Sequence, residues 1–180
     1  MTTGGKVALA AGLVGLGVAG RLLPHAWNFT PIIAITLVAG HYLGKKFSVW
    51  IPLAAMLVGD FWLGFYEAKL MLVVYLSLAF VGLVSSYSIK HLRATRVLAV
   101  STISSSIFFL STNLAVWQFS AWYPKTLAGL TECYMAGLPF FRNALFGDVI
   151  YTTSLFLAIE LGFYLFALRS TAEKQAKATV

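Results

Sequence analysis

Three acidic residues lie within apolar stretches of the sequence and are its first candidates for chemistry. Asp60 lies about twelve residues into one stretch, Asp148 lies near the start of another, and Glu160 lies deeper in the same one. A carboxylate inside a bilayer is costly to place, so it marks a functional group by default. These acids are either ligands for a substrate or a proton, or structural partners of Arg142, Lys69, hydroxyl groups or a helix N-terminus. For Asp148 the helix dipole favours the structural role.

Polar and aromatic side chains follow one side of the uncharged stretch 97–119. Their spacing of three or four residues places them on one face of a helix. They are Thr102, Ser106, Phe109, Asn113 and Trp117. Hydroxyl groups in membrane helices commonly serve packing and interhelical hydrogen bonds. Asn113 and Trp117 lie at the end of the stretch, beside an aromatic segment, where contact with a ligand is an equal alternative.

Two aromatic segments, 23–31 and 120–143, are predicted to lie on the same side of the membrane. Long loops in compact proteins are usually functional, and these are too apolar for disorder. They form either a lid over a small-molecule site or an aromatic belt at the membrane interface. Their candidate ligand contacts are Trp27, Asn28, Tyr123, Tyr134 and Arg142.

No catalytic constellation is present in the sequence. It has no HExxH, GxSxG or phosphate-loop motif, so it cannot hydrolyse ATP by itself. His25 and His41 are predicted on opposite membrane faces and cannot share a metal. Cys133 is the only cysteine, which makes it either an inert packed residue or a free thiol. We therefore expect a protein that is not an enzyme and needs no metal or cofactor.

The composition is that of a membrane protein. Of the 180 residues, 59% are hydrophobic and 11% are charged, whereas soluble domains are about 25% charged. This disfavours a disordered chain, a soluble nucleic-acid-binding domain and a cytosolic enzyme. The net charge of +7 comes from short basic clusters between apolar runs, which is the pattern of membrane topology. We expect the lipid bilayer, and no nucleic acid, as a partner.

The predicted fold is all-α, an integral membrane bundle of six helices in a single domain, 1–180. The predicted helices are about 6–23, 30–44, 48–66, 69–89, 97–119 and 144–168. Residues 120–143 form a long outer loop, with a short helix at 126–136, and 169–180 form a tail. Thr30 and Ser48 are the predicted caps of the second and third helices. The first helix is long enough to span and is followed by further spans, which favours an uncleaved helix over a signal peptide.

The basic residues orient this bundle. With the N-terminus inside, nine Lys and Arg residues fall on the inner segments and four on the outer ones. The reverse orientation inverts that ratio. Because cytoplasmic segments carry the excess of Lys and Arg, we predict that both termini are cytoplasmic.

The first helix carries small residues at a spacing of four. One row contains Ala8 and Gly12, and the other contains Ala11, Gly15 and Ala19. Small side chains allow another helix to approach closely in lipid. The second row is the predicted docking face, either for a helix of the same bundle or for a partner membrane protein.

Several strings resemble the substrate-binding components of energy-coupling-factor transporters, and most closely an uncharacterised bacterial family of this type. PHAWNFTPIIAITLVAG at 24–40 is similar to the start of the second helix in those proteins. VGDFWLGFY at 58–66 and FRNALFGDVIYTTSLF at 141–156 resemble their glycine-aspartate helix starts. The resemblance covers roughly residues 10–165, but the small-residue row mixes Ala and Gly where the family has a clean Ala-xxx-Ala pair.

The resemblance implies a six-helix bundle in the bacterial cytoplasmic membrane that binds a vitamin-like micronutrient from outside. It also implies a membrane coupling protein served by ATPase subunits, docked on the first helix. The same bundle occurs in a cell-shape scaffold protein, and an accessory subunit of a larger membrane complex is a further alternative. An outward cavity lined by helices 4–6 and the first loop would favour transport, whereas a filled bundle would favour a scaffold.

Overall fold

Every regular element in the computed structural model, which describes residues 1–89 and 93–178, is an α-helix. The helices are α1 (Thr3–Leu22), α2 (Ile32–Tyr42), α3 (Lys45–Leu63), α4 (Ala68–Ser88), α5 (Ala94–Phe119) and α6 (Leu127–Ala178). The predicted all-α class with six helices is confirmed. Lys90, which contributes to the count of basic residues, lies outside the described residues. So do residues 179–180 of the predicted tail and the side chains of Lys174 and Lys177.

Five of the six helices are long and apolar enough to cross a membrane, all except α2. This supports a multi-pass membrane protein. The second predicted span, 30–44, is shorter than expected, because α2 has 11 residues. At 1.5 Å per residue it is about 16 Å long, roughly half the hydrocarbon thickness of a bilayer.

The short helix α2 forms the centre of the bundle. It packs against all five other helices, and every residue from Ile32 to Gly40 is buried. Its sequence, IIAITLVAGHY, has no polar face, as expected for a helix that is surrounded by protein. Thr36 is the polar residue among these buried positions, and its hydroxyl donates to the Ile32 carbonyl of the same helix at 2.7 Å.

The starts of α2 and α3 differ from the predicted caps. Pro31 is the N-cap of α2, which has no capping side-chain hydrogen bond, so Thr30 is not the cap. Helix α3 begins after Gly44, whose φ of +96° suits glycine, so Ser48 lies inside it. The Ser48 hydroxyl is 2.8 Å from the carbonyl oxygens of both Lys45 and Gly82. It therefore ties α3 to α4.

Helix α6 is much longer than predicted. It begins at Leu127 rather than at about 144 and ends at Ala178 rather than at about 168, so most of the predicted outer loop 120–143 is helical. The reason is packing on α5. The Tyr134 hydroxyl donates to the Leu110 carbonyl at 2.7 Å, and the rings of Phe109 and Phe141 stack with centroids 4.4 Å apart.

The ends of the bundle are defined by contacts between helices. Arg21 at the end of α1 contacts Asp60 near the end of α3, and Lys69 at the start of α4 lies over the Phe119 ring at the end of α5. We call this the loop end, because the connections 23–31, 64–67 and 120–126 lie there. At the opposite end, Lys45 donates to the Tyr87 hydroxyl at 2.6 Å.

Candidate functional site

A cavity of about 350 Å³ lies between the helices and the 23–31 connection. On α5 its lining runs from Ser105 to Val116, which is about 16 Å of helix. Its polar lining residues are Arg21, Asn28, Thr30, Ser105, Thr112, Asn113 and Asp148. Its aromatic lining residues are Phe108, Phe109, Phe140 and Phe141. An apolar wall with a few converging polar groups is the usual composition of a small-molecule site.

Asp148 and Ser105 form a polar contact in the cavity wall. Asp148 is 4% exposed, and Ser105 Oγ lies 2.5 Å from its Oδ2. The next contact involves Ser101, one turn before Ser105 in α5, and Thr152, one turn after Asp148 in α6. Their hydroxyl oxygens are 3.3 Å apart. These contacts fix the register of α5 against α6. The Asp148 carboxylate is thereby held at the middle of α5 rather than at a helix end.

A second aspartate is neutralised by an arginine near the cavity. Asp60 is 1% exposed, and its Oδ1 lies 2.5 Å from Arg21 Nη2. Its Oδ2 accepts a hydrogen bond from the Tyr75 hydroxyl at 2.8 Å. Arg21 also donates to the Met56 carbonyl at 3.1 Å. This network joins α1, α3 and α4 through a fully hydrogen-bonded ion pair, which is the condition for burying charges.

Both buried aspartates follow a glycine, and each glycine makes room for a neighbour. A Cβ on Gly59 would come within 3.0–3.2 Å of the Arg21 guanidinium. A Cβ on Gly147 would come within 3.2–3.3 Å of Phe29. The two glycine-aspartate pairs therefore have the same steric role. They differ in the charge partner, because Asp60 pairs with Arg21, whereas Asp148 forms no salt bridge with any described residue.

The end of the 23–31 connection lies against helices. Pro31 contacts Gly20 so closely that no Cβ would fit there, and the Phe29 ring lies 5.4 Å from that of Tyr151. Asn28 has φ +60°, a left-handed conformation that asparagine tolerates better than most residues. Non-helical backbone is tolerated among membrane helices where it is buried in protein or lines a cavity. Asn28 and Thr30 both line this one.

Three of the nine predicted substrate-binding residues line the cavity. They are Asn28, Asn113 and Asp148. The Asn113 side chain donates to the Phe109 carbonyl at 2.9 Å, and a Cβ on Gly137 would come within 2.5 Å of its Oδ1. The absence of a side chain at Gly137 thus lets α6 approach the amide.

The other six predicted residues lie outside the cavity lining. Trp27 is 76% exposed. Its ring centroid lies 6.1 Å from that of Phe140, a lining residue, with the two ring planes nearly perpendicular. Trp117 donates to the Pro124 carbonyl at 3.0 Å, and Tyr134 bonds to Leu110, so both secure the 120–126 connection and the start of α6. Asp60 is held by Arg21. Tyr123 and Arg142 are absent from the lining as well, and Arg142 is exposed.

Several lining residues, among them Arg21, Ser105 and Phe141, are not among the predicted site residues. Ser105 lies seven residues before Thr112 and eight before Asn113, so helical periodicity places all three on one face. The periodicity of α5 could therefore have identified Ser105 from the sequence. The same criterion could not identify Phe141, because residues 120–143 were predicted to form a loop rather than a helix.

The small residues of α1 divide between two faces. Ala11 and Gly15 are exposed and Ala19 is half-buried. A Cβ on Gly15 would meet no atom within 4 Å, whereas one on Gly17 would come within 2.7 Å of Ala55 and Ile35. Gly17 therefore serves packing within the bundle. The face of α1 that carries Ala11 and Gly15 is not covered by any described part of the chain.

The remaining candidates, Glu160 and Cys133, are not among the residues that line the cavity. Glu160 is exposed and accepts a hydrogen bond from the Tyr42 hydroxyl at 2.5 Å. Cys133 is buried, with its thiol 3.4 Å from the Asn113 carbonyl. Within the described ranges, no cluster of three or more His, Cys, Asp or Glu side chains is arranged to hold a metal ion.

The fold and the cavity together define a helical membrane protein with an internal, mostly apolar cavity. Residues 2–169 match a family of unknown function, DUF6580. Because the match covers most of the chain, the protein belongs to this family. Comparison with curated proteins and with solved structures gave no match.

Proposed function

We propose that the protein is the membrane-embedded substrate-binding component of a micronutrient uptake transporter, which captures a small, vitamin-like molecule at the outer membrane face. The observation that carries this proposal is the cavity of about 350 Å³. A bundle that serves only as a scaffold has no need for an unfilled cavity with polar groups in its wall, because well-packed interiors contain few voids larger than a water molecule.

The proposed orientation places the loop end outside and both termini in the cytoplasm of a bacterium. It is supported by the distribution of Lys and Arg, nine against four, because cytoplasmic segments carry the excess. In this orientation the lining residues of the 23–31 connection lie towards the outer face, where a scarce nutrient is collected. Asn28 and Thr30 at the end of the 23–31 connection then lie on the entry side.

The proposed energy source is a partner complex, a membrane coupling protein with ATPase subunits. The chain has no phosphate-binding loop. The exposed face of α1 around Ala11, Gly15 and Ala19 is the proposed contact, because small residues permit the close helix approach that drives association in lipid. The resemblance of three sequence segments to energy-coupling-factor substrate-binding components supports the same assignment.

The test is to identify a bound molecule and remove it by filling the cavity. The full chain is purified in detergent, and native mass spectrometry measures any small molecule bound to it. Ala144 lines the cavity, so Ala144→Phe is expected to abolish binding. The matched control is Ala136→Phe, the same change on the same helix at an exposed position outside the lining, which is expected to retain the molecule.

A wild-type protein that carries no small molecule, and is not stabilised by any vitamin in a thermal-shift panel, would contradict the proposal. In that case the uncovered face of α1 would favour the scaffold or accessory-subunit alternative. Binding that persists equally in Ala144→Phe would show that the molecule occupies another site.

A further inference from the structure

We infer that the molecule bound in the cavity carries a positive charge on an aromatic or heteroaromatic framework, and that Asp148 is its counter-ion. This inference rests on the proposed function, whose substrate class it specifies. It starts from an imbalance of charge among the side chains that line the cavity.

The cavity wall contains two ionisable side chains, Arg21 and Asp148. Arg21 is already neutralised, because its guanidinium lies 2.5 Å from the Asp60 carboxylate. Asp148 is 4% exposed, and the Ser105 hydroxyl donates a hydrogen bond to its carboxylate. In the described part of the chain no basic side chain forms a salt bridge with it. An unpaired buried carboxylate is costly, and a cationic ligand would remove that cost.

The start of α2 opposes this charge only in part. Ile32 and Ile33, its first residues, also line the cavity, and a helix N-terminus carries about half a positive charge. When ionised, the Asp148 carboxylate carries a full negative charge. With Asp148 in that form, the sum over Arg21, Asp60, Asp148 and the helix end is negative, which favours a cation over an anion.

The aromatic wall fits the same class of ligand. Phe108, Phe109, Phe140 and Phe141 line the cavity, and the rings of Phe109 and Phe141 stack on each other. The negative face of an aromatic ring attracts cations, and ring-on-ring contact adds affinity for a flat ligand. The other glycine-aspartate pair also supports a cationic ligand, because its aspartate, Asp60, is paired with the positively charged side chain of Arg21.

The test uses three probes with one ring and different charges. Tryptamine is a cation, tryptophol is its neutral analogue and indole-3-acetate is an anion. Thermal unfolding of the purified full chain is measured with each probe at equal concentration, because a ligand that binds the folded state raises the melting temperature. We expect tryptamine to stabilise the wild-type protein more than the other two probes. Molecules released from the purified protein by denaturation are identified in parallel by mass spectrometry.

Two variants locate the charge. Asp148→Asn should weaken tryptamine binding by roughly tenfold or more, because it removes one partner of a buried charge pair. Glu160→Gln removes an acid from the same helix outside the cavity and should leave tryptamine binding unchanged. If Asp148→Asn does not fold, the wild-type probe series still decides the question, because it needs no variant.

The outcomes separate this inference from the proposed function. Equal or greater stabilisation by tryptophol or indole-3-acetate, or release of a neutral or anionic molecule, overturns the inference and leaves a binding protein. If no probe stabilises the protein, no molecule is released and no vitamin of the thermal-shift panel stabilises it, the inference and the proposed function both fail. Release of a cationic molecule supports the inference even where tryptamine itself is too poor a match to bind.

Discussion

The buried ion pair between Arg21 and Asp60, together with the Tyr75 hydroxyl that bonds to the same carboxylate, joins α1, α3 and α4. Its two carboxylate oxygens are both used, one by Arg21 and one by Tyr75. Removing one partner of such a pair leaves a buried charge without compensation. Gly59 belongs to the same network, because a methyl group at this position would press against the Arg21 guanidinium.

Asp60→Asn is predicted to destabilise the protein by about 3–5 kcal/mol, because Arg21 loses its counter-ion in a buried site. Tyr75→Phe removes one hydrogen bond to the same carboxylate and should cost about 1 kcal/mol. Thermal unfolding of the two variants in detergent measures the difference. Equal losses in the two variants would mean that the ion pair contributes no more than a neutral hydrogen bond.

At the scale of elements, the contact of α3 with α4 depends on the absence of a side chain at Gly82. A Cβ there would overlap the Ser48 carbonyl. Pro52, four residues after Ser48, has no N–H to bond that carbonyl within the helix. The proline and the glycine are therefore coupled, since the carbonyl that Pro52 leaves unpaired packs against Gly82.

Gly82→Ala is therefore expected to separate α3 from α4 and lower the melting temperature. The matched control is Gly162→Ala in α6, where an added Cβ meets nothing within 4 Å. That control should be neutral or stabilising by about 0.5–1 kcal/mol, because glycine weakens helix interiors. Similar melting temperatures for the two variants would contradict the close packing at Gly82.

The sequence predicted some elements well and others poorly, for physical reasons. The bounds of α1, α2, α3, α4 and α5 are all within about three residues of the predictions, because each is an apolar run with distinct flanks. The predicted bounds of α6 are wrong because the segment 120–143, which contains two prolines, was assigned to an outer loop, whereas packing on α5 holds most of it helical. Asp148 and Asn113 could be selected as costly polar groups. Ser105 shares a helix face with Asn113, but its contact with Asp148 depends on the α5–α6 register, which one sequence does not contain. The position of Phe141 in the cavity wall depends on the same register.

At the scale of the whole molecule, α1 presents one small-residue face to the bundle and another away from it. The inner face contains Gly17, against Ala55 and Ile35, and the outer face contains Ala11 and Gly15. The same helix thus has a stability surface and a surface available to a partner. Leucine substitutions on the two faces separate these roles.

Gly15→Leu is predicted to fold and bind its ligand normally, while association with a coupling protein and uptake in cells fall. Gly17→Leu is predicted to express poorly, because the side chain would collide with Ala55. Size-exclusion profiles, co-purification and cellular uptake are the measurements. Uptake that continues unchanged in cells lacking any coupling protein would contradict the partner proposal.

The proposed topology makes its own prediction for the two ends of the chain. A reporter enzyme that is active only outside the cytoplasmic membrane should give no signal when fused to either terminus. The same reporter inserted between Ser120 and Lys125, in the connection before α6, should be active. A signal from either terminal fusion would contradict the predicted orientation.

The shortness of α2 also has a consequence for biogenesis. While the chain is being synthesised, an isolated α2 of about 16 Å would leave the non-helical backbone on either side of it unpaired within the hydrocarbon. Those groups are sheltered only after α3 to α6, which surround α2, have been inserted. A nascent chain released after Leu63 should therefore be degraded rapidly in pulse-chase labelling, whereas the complete chain should persist.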